Sequence, residues 1–279
     1  RTMGDVARQS VRNDELLYLL FGVNAELLID HAWGWEPCTM QAIKAYRPET
    51  NSLSSGQVLQ HPYTWAKTRV VVHEMAEAAA LDLLDKRLVT NQLVLYIGYD
   101  SSSLTDSSIR AHYHGEVVDD HYGKAVPRPA HGSCRLQVHT SSASIISEAV
   151  LALFDRISDP HLLVRRLNLT SNNVIDENSE VLLEQKRRPV QLDLFTDYEQ
   201  EERERKARER ALKRERKLQQ TMLDIKKRFG KNAILKGLNF EEGATAIERN
   251  RQIGGHSAGT DSSPADKKQP SKGAEHSSR

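Results

Sequence analysis

Gln92-Leu93-Val94-Leu95-Tyr96-Ile97-Gly98-Tyr99 is the stretch whose reading decides the fold. The run is rich in β-formers, and Leu93, Leu95, Ile97 and Tyr99 alternate through it, as in a strand with one buried side. Upstream, a helix starting near Thr64 carries Val72, Met75, Ala76, Ala79 and Leu83. Downstream, past an irregular insertion, Cys134, Leu136 and Val138 alternate again, and a second helix carries Ile146, Ala149, Val150, Leu153 and Ile157. The two helices repeat one apolar spacing of three, one, three and four residues. Pro160 bounds the second, residues 163–170 give a last strand, and residues 52–59, weakened by Gly56, give a first. The order predicts an α+β domain over residues 51–172: strand, helix, strand, strand, helix, strand.

Two amphipathic helices with one apolar stripe each can cover only one face of a four-stranded sheet. The residues that alternate away from the apolar positions are polar: Arg135, Gln137 and His139 on one strand, Arg166 and Asn168 on another. Ser52, Ser54 and Gln57, with Ser55 among them, supply hydroxyls and an amide on the first strand. Such a surface suits the phosphates of a polyanion. A simply solvated sheet face is the alternative. The insertion at residues 100–132 holds His112, His114, His121 and His131, with Asp119 and Asp120 nearby. HxH is a possible metal-ligand pair. There is, however, no HExxH and no cysteine partner at a zinc spacing. Lys124 and Arg128 in the same loop favour phosphate contact, so no cofactor and no metal is expected.

Around this domain the chain changes character. Residues 1–36 read as short helices: Thr2 caps the first, Asp5 lies in its first turn, and a second apolar segment stops at Gly22. Residues 37–50, with Pro37 and Pro48, read as a linker, and residues 173–200 as a connector. Residues 201–240 read as a charged, exposed helix; positions 203–231 hold 13 Lys or Arg against 4 Asp or Glu. Leu218, Met222, Ile225 and Phe229 form its one narrow apolar stripe. Residues 241–279 read as a flexible tail. Within the connector lies Gln191-Leu192-Asp193-Leu194-Phe195. Pro189 disfavours helix just before it. The peptide can be presented extended, with Leu194 and Phe195 as anchors in a partner's apolar pocket and the Gln191 amide bonding at the rim.

Composition sets the outer bounds. A length of 279 residues suggests about two domains. Charge is balanced, at 39 basic against 38 acidic residues. Cys38 and Cys134 are far apart, as expected of two buried thiols in a reducing cytosol. No apolar run approaches the ~18 residues of a membrane span. The chain opens at Arg1 inside what reads as a helix start, so it is expected to be a fragment.

With these residues in hand, the chain resembles the C-terminal part of a Y-family DNA polymerase of the bacterial UmuC/DinB-type translesion branch. Thr2-Met3-Gly4-Asp5-Val6-Ala7 and Leu20-Phe21-Gly22-Val23 are similar to the end of that family's helical thumb. Ser52-Leu53-Ser54-Ser55-Gly56-Gln57 looks like the opening of its little-finger domain. Ala130-His131-Gly132-Ser133 and Leu162-Leu163-Val164-Arg165-Arg166 look like its later strands. Residues 191–195 resemble the peptide by which such enzymes dock on the ring-shaped sliding clamp, and residues 226–232 and 252–256 resemble a tail of the Gram-positive branch. The resemblance implies DNA and the sliding clamp as partners, DNA repair and SOS mutagenesis as context, and a bacterial cytoplasm. The residues read above as suited to phosphate, Ser52, Ser54, Ser55, Gln57, Lys124, Arg128, Arg135, Gln137 and Arg166, are then the expected DNA contacts. Family catalysis uses palm carboxylates holding two magnesium ions. Their D-x-D-like and S-x-D-E-like motifs do not occur here, so no catalytic residue is assigned. Two other readings stay open: a DNA-binding, clamp-associated adaptor that never had a palm, and a metal-dependent hydrolase using the insertion histidines.

Overall fold

The computed structural model describes residues 2–36, 38–46, 51–120, 123–180, 182, 198–253 and 256–257. The chain forms two compact units, Arg1–Thr50 and Asn51–Arg279. The first is helical, with α1 (Met3–Arg12), α2 (Glu15–Phe21), α3 (Asn24–Ala32) and α4 (Met40–Ala45). Thr2 and Asp5 form a reciprocal capping box at α1. Gly22 ends α2 at a φ of 58°, a left-handed backbone that suits glycine. Ala7, Leu17 and Ala25 are the buried apolar residues of this unit, and Trp33 Nε1 donates to Ser10 Oγ at 3.1 Å. The linker is less plain than its two prolines imply. Thr39 caps α4 by accepting from the Ala42 N–H.

The second unit contains β1 (Leu53–Tyr63), α5 (Trp65–Asp85), β2 (Leu88–Tyr99), α6 (Ser102–Thr105), α7 (Ser107–Arg110), β3 (Val117–Asp119), β4 (Ala125–Pro127), β5 (Ala130–Thr140), α8 (Ala143–Ile157), β6 (Val164–Asn172) and β7 (Ile175–Asp176). The main strands lie in the order β1-β6-β2-β5, all neighbours antiparallel, with the short β7 beside the start of β2. This is the predicted strand–helix–strand–strand–helix–strand architecture. α5 and α8 pack on each other and on one sheet face. The core between them holds Val72, Met75, Ile146, Val150 and Phe154 from the helices and Leu93, Leu95, Ile97, Leu167 and Leu169 from the strands. The insertion is two helical turns and the β3–β4 hairpin, pinned by Tyr113, whose hydroxyl donates to the Glu116 carbonyl at 2.6 Å.

Gly132 lets α8 approach β5 closely, because a Cβ there would meet Ile157 Cγ2 at 2.9 Å and Leu153 Cδ1 at 3.1 Å. Those atoms are ends of flexible side chains, so one methyl can be absorbed. A branched side chain cannot.

Beyond the sheet, α9 (Tyr198–Phe229) returns to the domain. Leu218 and Phe229 of the expected stripe stay more than half exposed, and the buried residues are Gln219, Met222 and Leu223. Helix geometry explains the face: residues 215, 219, 222 and 226 recur at the three- and four-residue spacing of one helix side. Glu215 takes the start of α8, accepting from the Ser144 N–H and the Ser142 and Ser144 hydroxyls, each at 2.8 Å. Gln219 donates to the Ser141 carbonyl, and Lys227 and Arg216 pair with Asp85 and Glu177.

After α9 the chain does not leave the domain, so the tail boundary expected at residue 241 falls inside folded structure. Residues 237–250 form a strap of a 3-10 turn and α10 (Ala246–Arg249) against α5 and β1, followed by β8 (Gln252–Ile253) paired with β9 (His256–Ser257). Buried Glu74 holds the strap. It accepts from Asn239 Nδ2 at 2.8 Å, from the Thr245 N–H at 2.7 Å and hydroxyl at 3.3 Å, and from the Ala246 N–H at 3.1 Å. A buried carboxylate is tolerable only with such a set of donors.

Two outcomes follow from this packing. Gly132→Val should destabilise the second unit by about 1–3 kcal/mol through overpacking, while Gly132→Ala should cost far less; paired thermal melts compare them. Burial raises the Glu215 carboxyl, but its hydrogen bonds from Ser144 and Ser142 outweigh that and leave it below its ordinary 4.5. The docking energy it adds is therefore complete above pH 4.5 and lost as pH falls through the lowered value. Hydrogen exchange across residues 219–226 should rise in that acid range. In Glu215→Gln it should already be raised at neutral pH and lack that acid step.

Candidate nucleic-acid interface

The antiparallel register fixes which side chains share the uncovered sheet face. Ser54 lies opposite Thr170, Thr170 opposite Val94, and Val94 opposite Ser133. The next row is Gly56, Asn168, Tyr96 and His131, and the next Val58, Arg166 and Gly98. Toward the other end, Asn172 and Arg135 flank Gln92. These rows contain no Asp or Glu and carry Arg135 and Arg166, both exposed and neither bonded to another described side chain. Asn168 and Thr170 are ordered by Ser54, whose hydroxyl lies 2.7 Å from Asn168 Oδ1 and 3.0 Å from Thr170 Oγ1. Gly98 leaves room for its neighbours: a Cβ there would come within 3.1 Å of Arg166 Cβ and 3.4 Å of the Tyr96 ring. The missing side chain lets the Tyr96 ring and the Arg166 stem lie side by side on the face.

Ser54, Arg135 and Arg166 thus come together on one surface. Gln137 is exposed farther along β5, and Ser52 is exposed just before β1. Ser55 and Gln57 do not belong with them. Side chains of a strand alternate between faces, so Ser54 and Gln57, three positions apart, must point oppositely. Ser55 and Gln57 share rows with Leu169 and Leu95, and with Leu167 and Ile97, on the helix side. They meet the strap there. Arg249 donates to Ser55 Oγ at 2.9 Å, to Gln57 Oε1 at 2.7 Å and to the Gly56 carbonyl at 3.1 Å, and Gln57 Nε2 donates to Thr245 Oγ1 at 2.7 Å. Burial pushes the Arg249 guanidinium below its usual range, and nearby Glu74 opposes that. Lys124 and Arg128 lie on the insertion hairpin and not in the rows. Lys124 is exposed, and Arg128 is ion-paired with Glu116.

Tyr96, His131, Ser133 and Thr170 are face residues that the sequence reading passed over. The alternation that places Leu95 and Ile97 inward already places Tyr96 outward. Val138 was expected inward and is instead 58% exposed. The β2–β5 register shifts between Thr90 and Gln92, so the alternation seen at Cys134 and Leu136 does not run on. Cys134 is half-buried, with its thiol 3.8 Å from the Ala149 carbonyl, but Cys38 is exposed, against the expectation of two buried thiols.

Among the described residues, no three of His, Cys, Asp and Glu gather as a metal site. His112 instead stacks on His161, with ring centroids 5.3 Å apart, and His131 stands on the open face beside Tyr96. His121 and the peptide at residues 191–195 lie outside the described residues. No described helix is long and apolar enough to cross a membrane.

No curated protein matches the chain. Residues 50–194, however, match the impB/mucB/samB family C-terminal domain. That span is more than half of the chain and includes all four main strands, with the face built by Ser54, Tyr96, Arg135 and Arg166. The chain therefore belongs to the impB/mucB/samB family of Y-family translesion DNA polymerases, and residues 50–194 are that family's C-terminal domain.

Proposed function

We propose that this chain grips duplex DNA along the open sheet face and moors a translesion polymerase to the sliding clamp through residues 191–195. The observation that carries the first half is the composition of the face: Arg135 and Arg166 among Ser54, Asn168, Thr170, Gln92 and Ser133, with no carboxylate in any row. Arginine guanidiniums and neutral hydrogen-bonding groups suit phosphate oxygens, and phosphate contacts position a protein without reading sequence. Most template lesions alter bases and leave phosphates intact, so such a grip tolerates damage. The exposed side of α9, rich in Lys and Arg, adds non-specific attraction to the same polyanion.

The clamp half rests on the sequence of residues 191–195 and on their place between the sheet domain and α9. A tether raises the local concentration of the polymerase at the primer end without demanding tight DNA affinity. Residues 226–232 and 252–256 support placing the protein in the Gram-positive branch, acting in the cytoplasm during the SOS response.

Two measurements test the reading. Leu194→Ala with Phe195→Ala should weaken clamp binding by roughly 2–4 kcal/mol, as expected when hot-spot anchors are truncated; calorimetry against purified clamp reads this, and DNA affinity should not change. Unchanged clamp affinity would remove the peptide from the account. DNA affinity should fall steeply with salt. In Arg135→Ala with Arg166→Ala the log–log slope should be shallower by about 2, at roughly 0.9 per lost phosphate contact. An identical slope in that variant would mean that DNA lies elsewhere.

A further inference from the structure

The strap borders an open cleft of about 920 Å³ against the outer edge of β1. Its floor is β1 with Glu74, Met75 and Ala78 of α5, and two further sets of residues form its sides. Tyr96, Arg166 and Asn168 of the open face form one side, and Lys231, Ala244 and Gln252 from the C-terminal segment form the other. The space is therefore continuous with the proposed DNA face and passes around the sheet edge toward the strap. Its volume lies within the range of small-ligand clefts.

The state of its polar groups narrows the occupant. Glu74 lines the cavity but is committed to four strap donors, and Arg249 is committed to β1. Lys231, Arg166 and His61 also line it, and their side chains make no hydrogen bond or ion pair with described residues. One further carboxylate, Glu248, stands exposed at the wall. Tyr63 and Tyr96 supply aromatic surface. Two uncommitted cations, Lys231 and Arg166, beside aromatic rings are the chemistry that holds single-stranded nucleic acid, where bases stack and phosphates pair. A duplex is too wide and too stiff to bend into such a space; an unpaired strand is not.

Building on the proposed duplex grip, we propose that this cavity receives the single-stranded overhang of a DNA whose duplex part lies on the open face. Tyr96 and Arg166 stand where the two surfaces meet. Lys231 meets the overhang's phosphates inside the cavity, and the strap serves as its outer wall.

The test compares the full chain's affinity for a blunt duplex with that for the same duplex bearing a short overhang, by fluorescence anisotropy at fixed salt. The overhang should improve binding about tenfold. Lys231→Ala should cut that gain to threefold or less while leaving blunt-duplex affinity as it was. Ala244→Leu narrows the cavity without changing its charge or adding a stacking ring and should also reduce the gain, with a thermal melt confirming that the domain is folded. Equal affinity for the two DNAs would overturn the proposal. So would a full overhang gain in both variants. Loss of blunt-duplex binding in Arg135→Ala with Arg166→Ala reports on the duplex grip, and retained blunt binding without an overhang gain sinks only the cavity assignment.

Discussion

Side chains of a strand alternate, and neighbouring antiparallel strands keep that alternation in step. In this protein the rule sorts one set of residues into a dry layer under two helices and another into an acid-free outer surface. Leu93, Leu95 and Ile97 go inward, and Gln92, Val94 and Tyr96 go outward on the same strand. A one-residue slip would bury Arg135 and Arg166 and expose the leucines. The packing energy of the core therefore also fixes the surface that meets the ligand, and the two cannot drift independently.

The same rule explains which parts of the fold were legible in the sequence. Helix and strand order rests on local periodicity, and the repeated apolar spacing in α5 and α8 is visible without knowing any partner. Ser55 and Gln57 were misplaced because their polarity was read without their parity relative to Ser54. They are polar on the helix side because the strap covers them. Glu74 sits on the buried side of α5 for the same reason. Its partners Asn239 and Thr245 come 165 and 171 residues later, and nothing local announces them.

α9 shows the opposite failure. Of its expected stripe Met222 is buried while Leu218 and Phe229 stay exposed, because the side that docks also includes Glu215 and Gln219. A carboxylate placed at the start of α8 satisfies free N–H groups there and gains from the helix dipole. Docking that mixes Met222 and Leu223 with Glu215 and Gln219 leaves only part of the face legible as an apolar stripe. The insertion histidines were conspicuous by type, yet His112 finds a ring partner in His161 and His131 a place on the open face. Their type made a metal site worth weighing, although phosphate contact was the favoured reading, and among the described residues no three candidate ligands gather.

Arg249 has a last consequence that concerns neither ligand. β1 and β5 are the two outermost strands, and such strands offer unpaired main-chain groups to any passing extended peptide. On β1 the Arg249 guanidinium occupies the Gly56 carbonyl, and on β5 the Arg156 guanidinium occupies the Ser133 carbonyl at 3.0 Å. Pairing is irregular along both strands, between Val58 and Tyr63 and opposite the Thr90–Gln92 step. A sheet left bare on one side to meet a polyanion thus carries a cation on one carbonyl of each border strand, and each cation hinders a second copy from pairing there.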